Sequence, residues 1–177
     1  MGRGIPFLVV FLVLLGGCFG TKVPQHRLDR AHQLVDEGAK ALRAGKLDDA
    51  DASFSMADEL AAIPAAVDGR GCVALLKGDW DKAERFFIKA HTLDSEYTRA
   101  LGNLGLLRDL QGRKEEAKTL YSKVLTYDPD NGEVRNNLAV LEYELKGSTL
   151  EALQQLKKAD LSKNDGVIRS NIALLSQ

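Results

Sequence analysis

Cysteine, proline, tryptophan and histidine are all scarce in this chain of 177 residues, which has 2 Cys, 4 Pro, 1 Trp and 3 His. Two distant thiols do not form a disulfide framework, and so few Cys and His leave little material for a metal site. Neither sign of charge dominates: 24 Lys and Arg against 25 Asp and Glu give a formal net charge of -1. This balance provides no electrostatic basis for nucleic-acid binding. With 28% charged and 45% hydrophobic residues, the composition fits a water-soluble, helix-rich domain.

The longest apolar run lies at the N-terminus, where residues 5–15 carry no charge and follow Arg3. As a helix, this run would be about 16 Å long, which is short of the roughly 30 Å of a membrane's hydrocarbon core. A short apolar run behind one basic residue is typical of an export signal. The pattern therefore predicts a cleaved signal peptide over residues 1–17.

Residues 15–18, Leu-Gly-Gly-Cys, resemble the lipobox of bacterial lipoproteins. The resemblance implies that Cys18 receives a diacylglyceryl group and becomes the acylated N-terminus after cleavage, with residues 18–30 as a tether. The alternative is an ordinary secretory signal with an incidental Cys. Phe19 follows, rather than the Asp that retains many lipoproteins at the inner membrane. In a Gram-negative cell, we therefore expect a lipid anchor in the outer membrane, facing the periplasm.

Small residues recur along the rest of the chain with a period of 33 to 35 residues. One ladder consists of Gly45, Gly78, Gly112 and Gly147. Each of these is followed by Ala, a large apolar residue and a small or β-branched residue at offsets of five, nine and twelve, as in Ala50, Phe54 and Ala57. A second ladder with the same period consists of Gly38, Gly71, Gly105, Ala139 and Ala173.

The two ladders predict a pair of antiparallel helices in each unit. A glycine of the first ladder ends helix A with a positive φ, and the small residues of the second ladder let helix A approach the apolar stripe of helix B. Asp48, Asp79 and Ser148 lie near the predicted starts of helix B, where short polar side chains cap free N–H groups. No unit buries its apolar face alone, so the stack folds as a whole.

This pattern resembles the tetratricopeptide repeat family, which implies an all-α solenoid. Four helix-turn-helix repeats are expected at about residues 31–63, 64–97, 98–131 and 132–165, followed by a C-terminal helix at 166–177. Some features depart from the family pattern. The Trp usual in helix A is absent, and only the third unit has the terminal Pro. The fourth unit has one residue inserted before Gly147, which predicts a kink or a wider loop there.

Catalytic groups are not brought together by any spacing in the sequence. His26 and His32 fall on different helical faces, and Cys72 is interpreted as a buried structural thiol. The acidic pairs 48–49 and 115–116 fit the first turn of a helix, where carboxylates are favourable. Trp80 fits a packing or surface role. We therefore predict that the protein is not an enzyme and has no cofactor apart from the lipid on Cys18.

Three asparagines occur at intervals of 34 in helix A: Asn103, Asn137 and Asn171. Their position resembles the asparagine ladder with which tetratricopeptide domains bind extended peptide backbones, and a carboxamide both donates and accepts hydrogen bonds. Arg99, Arg135 and Arg169 lie nearby and would add recognition of a carboxylate. The alternatives are that the Asn side chains fill helix interfaces and that the Arg side chains form ion pairs. Asp36 and Gly69 replace the Asn in the first two units, so the predicted site is in the C-terminal half.

These features predict a membrane-anchored adaptor or scaffold that binds protein or peptide segments. Together with the export signal, its lipobox and the tandem repeats, the stretches 134–141 and 168–175 make the chain resemble the TadD-like lipoproteins of tight-adherence (Flp) pilus assembly. That resemblance implies a secretin or pilus assembly component as partner. One alternative is an adaptor for periplasmic hydrolases or outer-membrane assembly factors. Another is a self-associating structural module, because residues 172–175 form an apolar edge at the chain's end.

Overall fold

The computed structural model describes residues 23–163 and 171–173, and this part of the chain is built from helices joined by short turns. Residues 171–173 are helical. In residues 23–163 there are eight longer helices: α1 (Gln25–Arg43), α2 (Leu47–Leu60), α3 (Pro64–Leu76), α4 (Trp80–Leu93), α5 (Thr98–Leu110), α6 (Lys114–Tyr127), α7 (Gly132–Lys146) and α8 (Thr149–Lys163).

The helices pack as consecutive pairs, α1 with α2, α3 with α4, α5 with α6 and α7 with α8, and each pair contacts the next. Odd-numbered helices also contact one another along the stack, as α1 with α3, α3 with α5 and α5 with α7. Among the described residues, the even-numbered helices make no comparable contacts with one another. The odd-numbered helices therefore lie on the inner, concave side of a curved stack, as expected for a solenoid.

Each odd-numbered helix is followed, one or two residues after its end, by a glycine in the left-handed backbone region, as the sequence predicts. Gly45, Gly78, Gly112 and Gly147 have φ values of 73°, 77°, 75° and 66°. A side chain is disfavoured at such angles, whereas glycine has no Cβ to clash. The first ladder thus marks the point where the chain reverses direction within each pair.

Within each pair, the second ladder sets a small residue against a large buried side chain of helix B. A Cβ placed on Gly71 would lie 2.5 Å from Phe87 Cε1, and one on Gly105 would lie 2.7 Å from Tyr121 Cε1. The predicted close approach of the two helices is confirmed. The four pairs are Gly38 with Phe54, Gly71 with Phe87, Gly105 with Tyr121, and Ala139 with Leu156.

The first helix begins at Gln25, so the predicted tether boundary at residue 30 does not match the start of helical structure. Pro24 sits at the N-cap with φ of -57°, and its carbonyl accepts hydrogen bonds from the N–H groups of Arg27 and Leu28. Leu28 packs against the apolar cluster that residues of α1 and α2 form with Ala66 of α3. With this packing, the first helix starts six residues before the predicted position.

The residue inserted in the fourth unit lengthens α7, and the prediction of a wider loop is wrong. Helix α7 has 15 residues, whereas α3 and α5 each have 13. Only Gly147 and Ser148 separate α7 from α8, while three residues separate the corresponding helices before it. The N–H of Gly147 bonds to the carbonyl of Tyr143, so the left-handed glycine follows the last helical residue directly.

Only one of the two aspartates predicted as caps is a cap. The Asp79 carboxylate accepts a hydrogen bond of 3.1 Å from the N–H of Lys82 at the start of α4. Asp48 instead lies inside the first turn of α2, and the N-cap position is occupied by Lys46. The Asp48 carboxylate pairs with the Lys77 ammonium group at 2.6 Å. Because Lys46 has no side-chain acceptor, the first turn of α2 lacks the cap that Asp79 gives to α4.

Replacing Asp79 by alanine is expected to lower the free energy of unfolding by about 1 kcal/mol, because an N–H group of α4 loses its acceptor. Asp48→Ala should cost less, since its partner is an exposed Lys77. Urea denaturation of both variants checks this. Equal effects for the two would contradict the assignment of Asp79 as the cap.

Candidate functional site

A cavity of about 350 Å³ opens between α5 and α7 on the concave side of the stack. Three of the predicted site residues line it: Arg99 and Asn103 from α5 and Asn137 from α7. Residues of the turns that precede α5 and α7 also line it. Three carboxylates, those of Glu96, Asp128 and Glu133, also line the cavity.

The asparagines bond along the stack at an interval of 35 residues. Asn103 Nδ2 donates to Asp68 Oδ1 at 2.8 Å, and Asn171 Nδ2 donates to Asn136 Oδ1 at 2.9 Å. These two carboxamides therefore also link neighbouring repeats. The same interval places Gly102 opposite Asn137, and glycine offers no side chain to bond.

Gly102 brings α7 close to α5 at this level, because a Cβ there would lie 3.2 Å from Val134 Cγ2. Asn137 borders the cavity beside it, and its Oδ1 accepts a hydrogen bond of 3.2 Å from Asn136. Of the three asparagines, Asn137 is thus the one that lines the cavity without a hydrogen bond to the preceding odd-numbered helix. It is the natural residue to test for ligand contact.

The carboxylate of Asp68 is buried next to two residues that line the cavity. Asp68 of α3 is only 3% exposed, and it accepts hydrogen bonds from Asn103 and from the Tyr97 hydroxyl, the latter at 3.1 Å. Burial raises the pKa of Asp68, while these two hydrogen bonds and the charge of Arg99 act in the opposite direction. The network holds two lining residues, Tyr97 and Asn103, in fixed positions.

Sequence reasoning missed Asp68 and Tyr97. The available signal was one acidic residue within the otherwise apolar and small first half of α3, at the position that precedes Gly69. A buried acid in such a place needs donors, and the periodic Asn one unit later supplies one of them. Tyr97 precedes α5 and carried no periodic signal.

The Cys72 thiol also lies at this network, with Sγ 3.5 Å from Asn103 Nδ2. Burial raises its pKa to about 12, so the thiol stays protonated at neutral pH. This agrees with its interpretation as a structural residue.

In a full-length Cys18→Ser variant, whose remaining thiol is Cys72, we expect alkylation by iodoacetamide at pH 8 to be slow. Because thiolate is the reacting species, the native rate should be about 100-fold or more below the rate in urea. Mass spectrometry of the time course measures both rates. Equal rates would contradict a buried, protonated Cys72.

The remaining predicted residues do not join the cavity. Arg135 donates to Gln155 Oε1 of α8 at 3.2 Å and to the carbonyl of Pro129, so it connects α7 with its partner helix and the preceding turn. Asn171 bonds to Asn136, as described above. Arg169 and Cys18 lie outside the described residues, as does the predicted signal peptide.

None of the helices in residues 23–163 and 171–173 combines the length and the hydropathy of a membrane-spanning segment. The same residues contain no group of three His, Cys, Asp or Glu side chains placed to hold a metal ion.

Comparisons with known proteins agree with the geometry of the helix pairs. A tetratricopeptide repeat family model matches residues 98–131, which span α5 and α6. The first tetratricopeptide domain of Spaghetti (RPAP3), solved bound to the HSP90 peptide SRMEEVD, is 27% identical. The match covers 67% of this chain and 97% of that chain, with a TM-score of 0.62.

Two bacterial structures share the fold over more of this chain. Pseudomonas aeruginosa pilF is 22% identical with a TM-score of 0.73, and the match covers 85% of this chain and 69% of that one. A thermophilic tetratricopeptide protein of Thermus thermophilus is 19% identical with a TM-score of 0.72, covering 82% and 80%. The described helices thus share the fold of tetratricopeptide-repeat domains.

Proposed function

We propose that this protein is a non-enzymatic adaptor or scaffold that binds a segment of another protein in the concave groove formed by α3, α5 and α7. The observation that carries the proposal is the cavity between α5 and α7, where Arg99, Asn103 and Asn137 meet. Side chains that donate and accept hydrogen bonds suit an extended peptide backbone. The fold's similarity to a domain solved with a bound HSP90 peptide supports peptide binding on such a scaffold.

The proposal includes a lipid anchor on Cys18, in the outer membrane facing the periplasm. It rests on the apolar run at residues 5–15 and on the Leu-Gly-Gly-Cys sequence at 15–18. Two or more acyl chains would hold the protein stably on a membrane, where a single chain would not. Mass spectrometry of the N-terminal peptide tests this: a diacylglyceryl-modified Cys18 supports it, and an unmodified N-terminus elsewhere refutes it.

For the cellular role we propose assembly of a pilus or secretion system, with a secretin or pilus component as partner. Support comes from the resemblance of the chain to TadD-like lipoproteins, which rests on its export signal with a lipobox, its tandem repeats and residues 134–141 and 168–175. The alternative role, docking of periplasmic hydrolases or outer-membrane assembly factors, would use the same groove. Neighbouring genes for a secretin, an ATPase and a prepilin would favour the first role, and genes for cell-wall hydrolases would favour the second.

A third candidate role is self-association through the apolar edge at residues 172–175. Ile172, one residue of the apolar edge at 172–175, packs against the cluster formed by Ala139, Leu156 and Ala159. Part of that edge therefore contacts its own fourth repeat.

The experiment that tests the groove is in-cell cross-linking and co-purification of the full-length protein. Asn137→Ala and Arg99→Ala each remove a lining side chain that, within the described residues, forms no hydrogen bond to another odd-numbered helix. We avoid Asn103 and Asn171, because their loss would break bonds to Asp68 and Asn136. Gln154→Ala, on the exposed side of α8, is the matched control.

Wild type and Gln154→Ala should capture the same envelope protein, and Asn137→Ala should lose it with unchanged helical content. Capture that is equally strong in Asn137→Ala and Arg99→Ala would move the binding surface away from the cavity.

A further inference from the structure

The cavity lining carries more negative than positive charge. Glu96, Asp128 and Glu133 contribute three carboxylates, and Arg99 is the one cation among the described residues that line it. None of the ion pairs recorded within residues 23–163 involves Glu96, Glu133 or Arg99. Glu96 and Glu133 are exposed at the rim, so both carboxylates are available to a ligand.

Two of the hydrogen-bond donors that line the cavity are already used. The amide of Asn103 and the hydroxyl of Tyr97 both donate to Asp68, which leaves oxygen lone pairs on these two side chains for a ligand. Asp68 itself adds a further acidic group behind the wall. A ligand that brings donors and a positive charge therefore complements the cavity better than a carboxylate does.

An apolar stripe continues from the cavity along the concave face. It consists of Leu76, Leu110 and Leu145, which lie two residues before the glycines that end α3, α5 and α7 and are 61%, 55% and 37% exposed. Leu110 lies four residues after the cavity-lining Leu106, and thus on the same face of α5. The seven residues from Asn103 to Leu110 span about 10 Å along the helix.

We propose that the groove binds a partner segment that carries a lysine or arginine side chain, which enters the cavity, next to apolar side chains, which cover the leucine stripe. This inference rests on the proposed function and names the chemistry of its partner. It differs from the carboxylate recognition expected for Arg99, Arg135 and Arg169. Arg135 bonds to Gln155 and to the turn before α7, and Arg99 is outnumbered by the carboxylates that line the cavity, while Arg169 lies outside the described residues. The partner segment is therefore recognised both by its positive charge and by its apolar side chains.

The probe is a display library of random 12-residue peptides with neutral constant flanks, selected on the full-length protein. Three proteins are compared: wild type, Glu96→Gln with Glu133→Gln, and a control with Glu59→Gln and Glu151→Gln. Both control residues are exposed and lie outside the cavity. Replacing Glu by Gln removes charge but keeps side-chain size, and circular dichroism verifies that each variant is folded.

Wild type and control should enrich Lys or Arg at one position together with Leu, Ile or Phe, and the cavity variant should lose the basic preference. For the best resynthesised peptide, changing its basic residue to Gln should weaken binding about tenfold or more to wild type but little to the cavity variant. Added salt should likewise weaken the binding of this peptide to wild type, because salt screens the interaction between opposite charges. Leu110→Ser should reduce binding more than Leu150→Ser, whose leucine is 70% exposed on α8.

Enrichment of Asp or Glu, or the same sequence preference in wild type and the cavity variant, overturns the inference. Absence of any enrichment overturns it as well. The proposed function is judged separately, by the loss of cellular partner in Asn137→Ala. If that partner is lost while the library shows no basic preference, the groove is the binding surface but takes a different chemistry.

Discussion

Replacing Gly105 by leucine is expected to lower the free energy of unfolding by about 1–3 kcal/mol, because even the first added carbon overlaps Tyr121. A Cβ at this position lies 2.7 and 2.8 Å from two ring carbons of that fully buried side chain. Gly105→Ala should also destabilise the protein. Where no close contact is present, replacing glycine by alanine within a helix stabilises a protein by about 0.5–1 kcal/mol. The sign of the change in unfolding free energy therefore reports whether the Cβ overlaps Tyr121. Urea denaturation measures both variants.

The fourth repeat provides the matched control for this prediction. There the corresponding positions hold Ala139 and Leu156, a slightly larger residue against a smaller one. Gly105→Ala should therefore be tolerated better in a Tyr121→Leu background than in the wild type, and a double-mutant cycle gives the coupling energy. A stabilising Gly105→Ala in the wild-type background, or a coupling of zero, would contradict the close packing of α5 against α6.

Loss of the Arg108 side chain should cost about 1.5–3 kcal/mol of unfolding free energy, as for hydrogen bonds to charged groups. Arg108 is 8% exposed on α5, and its guanidinium bonds to both carboxylate oxygens of Glu84 on α4, one at 2.9 Å. Its Nε also lies 3.5 Å from Glu116 of α6. One side chain thus connects three helices across a repeat junction, and its removal leaves Glu84 without its cation.

The pH dependence of this loss follows from Glu84. The hydrogen bond from Arg108 lowers the pKa of Glu84, so the stabilisation is present above the ordinary Glu pKa and is lost as the pH falls through the lowered value. Arg108→Ala should therefore cost less below about pH 4 than at pH 7. Arg113→Ala is the control, because that side chain is 46% exposed and pairs with exposed Glu116. Its cost should stay below about 1 kcal/mol. Equal costs for the two variants at pH 7 would contradict the role of Arg108.

Periodicity was sufficient to predict the helix pairs and the residues that separate them. The glycine ladder marked all four left-handed helix ends, and α3, α5 and α7 begin at Pro64, Thr98 and Gly132, where the repeat units were expected to start. These features depend on backbone geometry and residue size, which repeat with the sequence. The start of α1 and the length of α7 were missed, because they depend on local packing of Leu28 and on the placement of a single extra residue.

The candidate site was only partly predictable. The interval of 34 placed Asn103 and Asn137 on one face, and the structure brings both to one cavity with Arg99. What the interval could not show is how the side chains are used. Asn103 donates to Asp68, and Arg135 bonds across its own helix pair, and both contacts depend on nonrepeated neighbours. Net charge in the cavity likewise comes from turn residues such as Glu96 and Asp128, which belong to no ladder.

Site-specific photo-cross-linking in living cells tests most directly whether the concave groove is the binding surface. A photoreactive amino acid replaces Leu110 on the groove face, or one of two other exposed residues, Ile88 on α4 or Leu150 on α8. The exposed fractions of these side chains are 55%, 49% and 70%, so accessibility alone does not favour the groove. A discrete cross-linked partner from position 110, absent from positions 88 and 150, is the predicted result. Cross-linking of one partner from position 88 or 150, with none from position 110, would contradict the account.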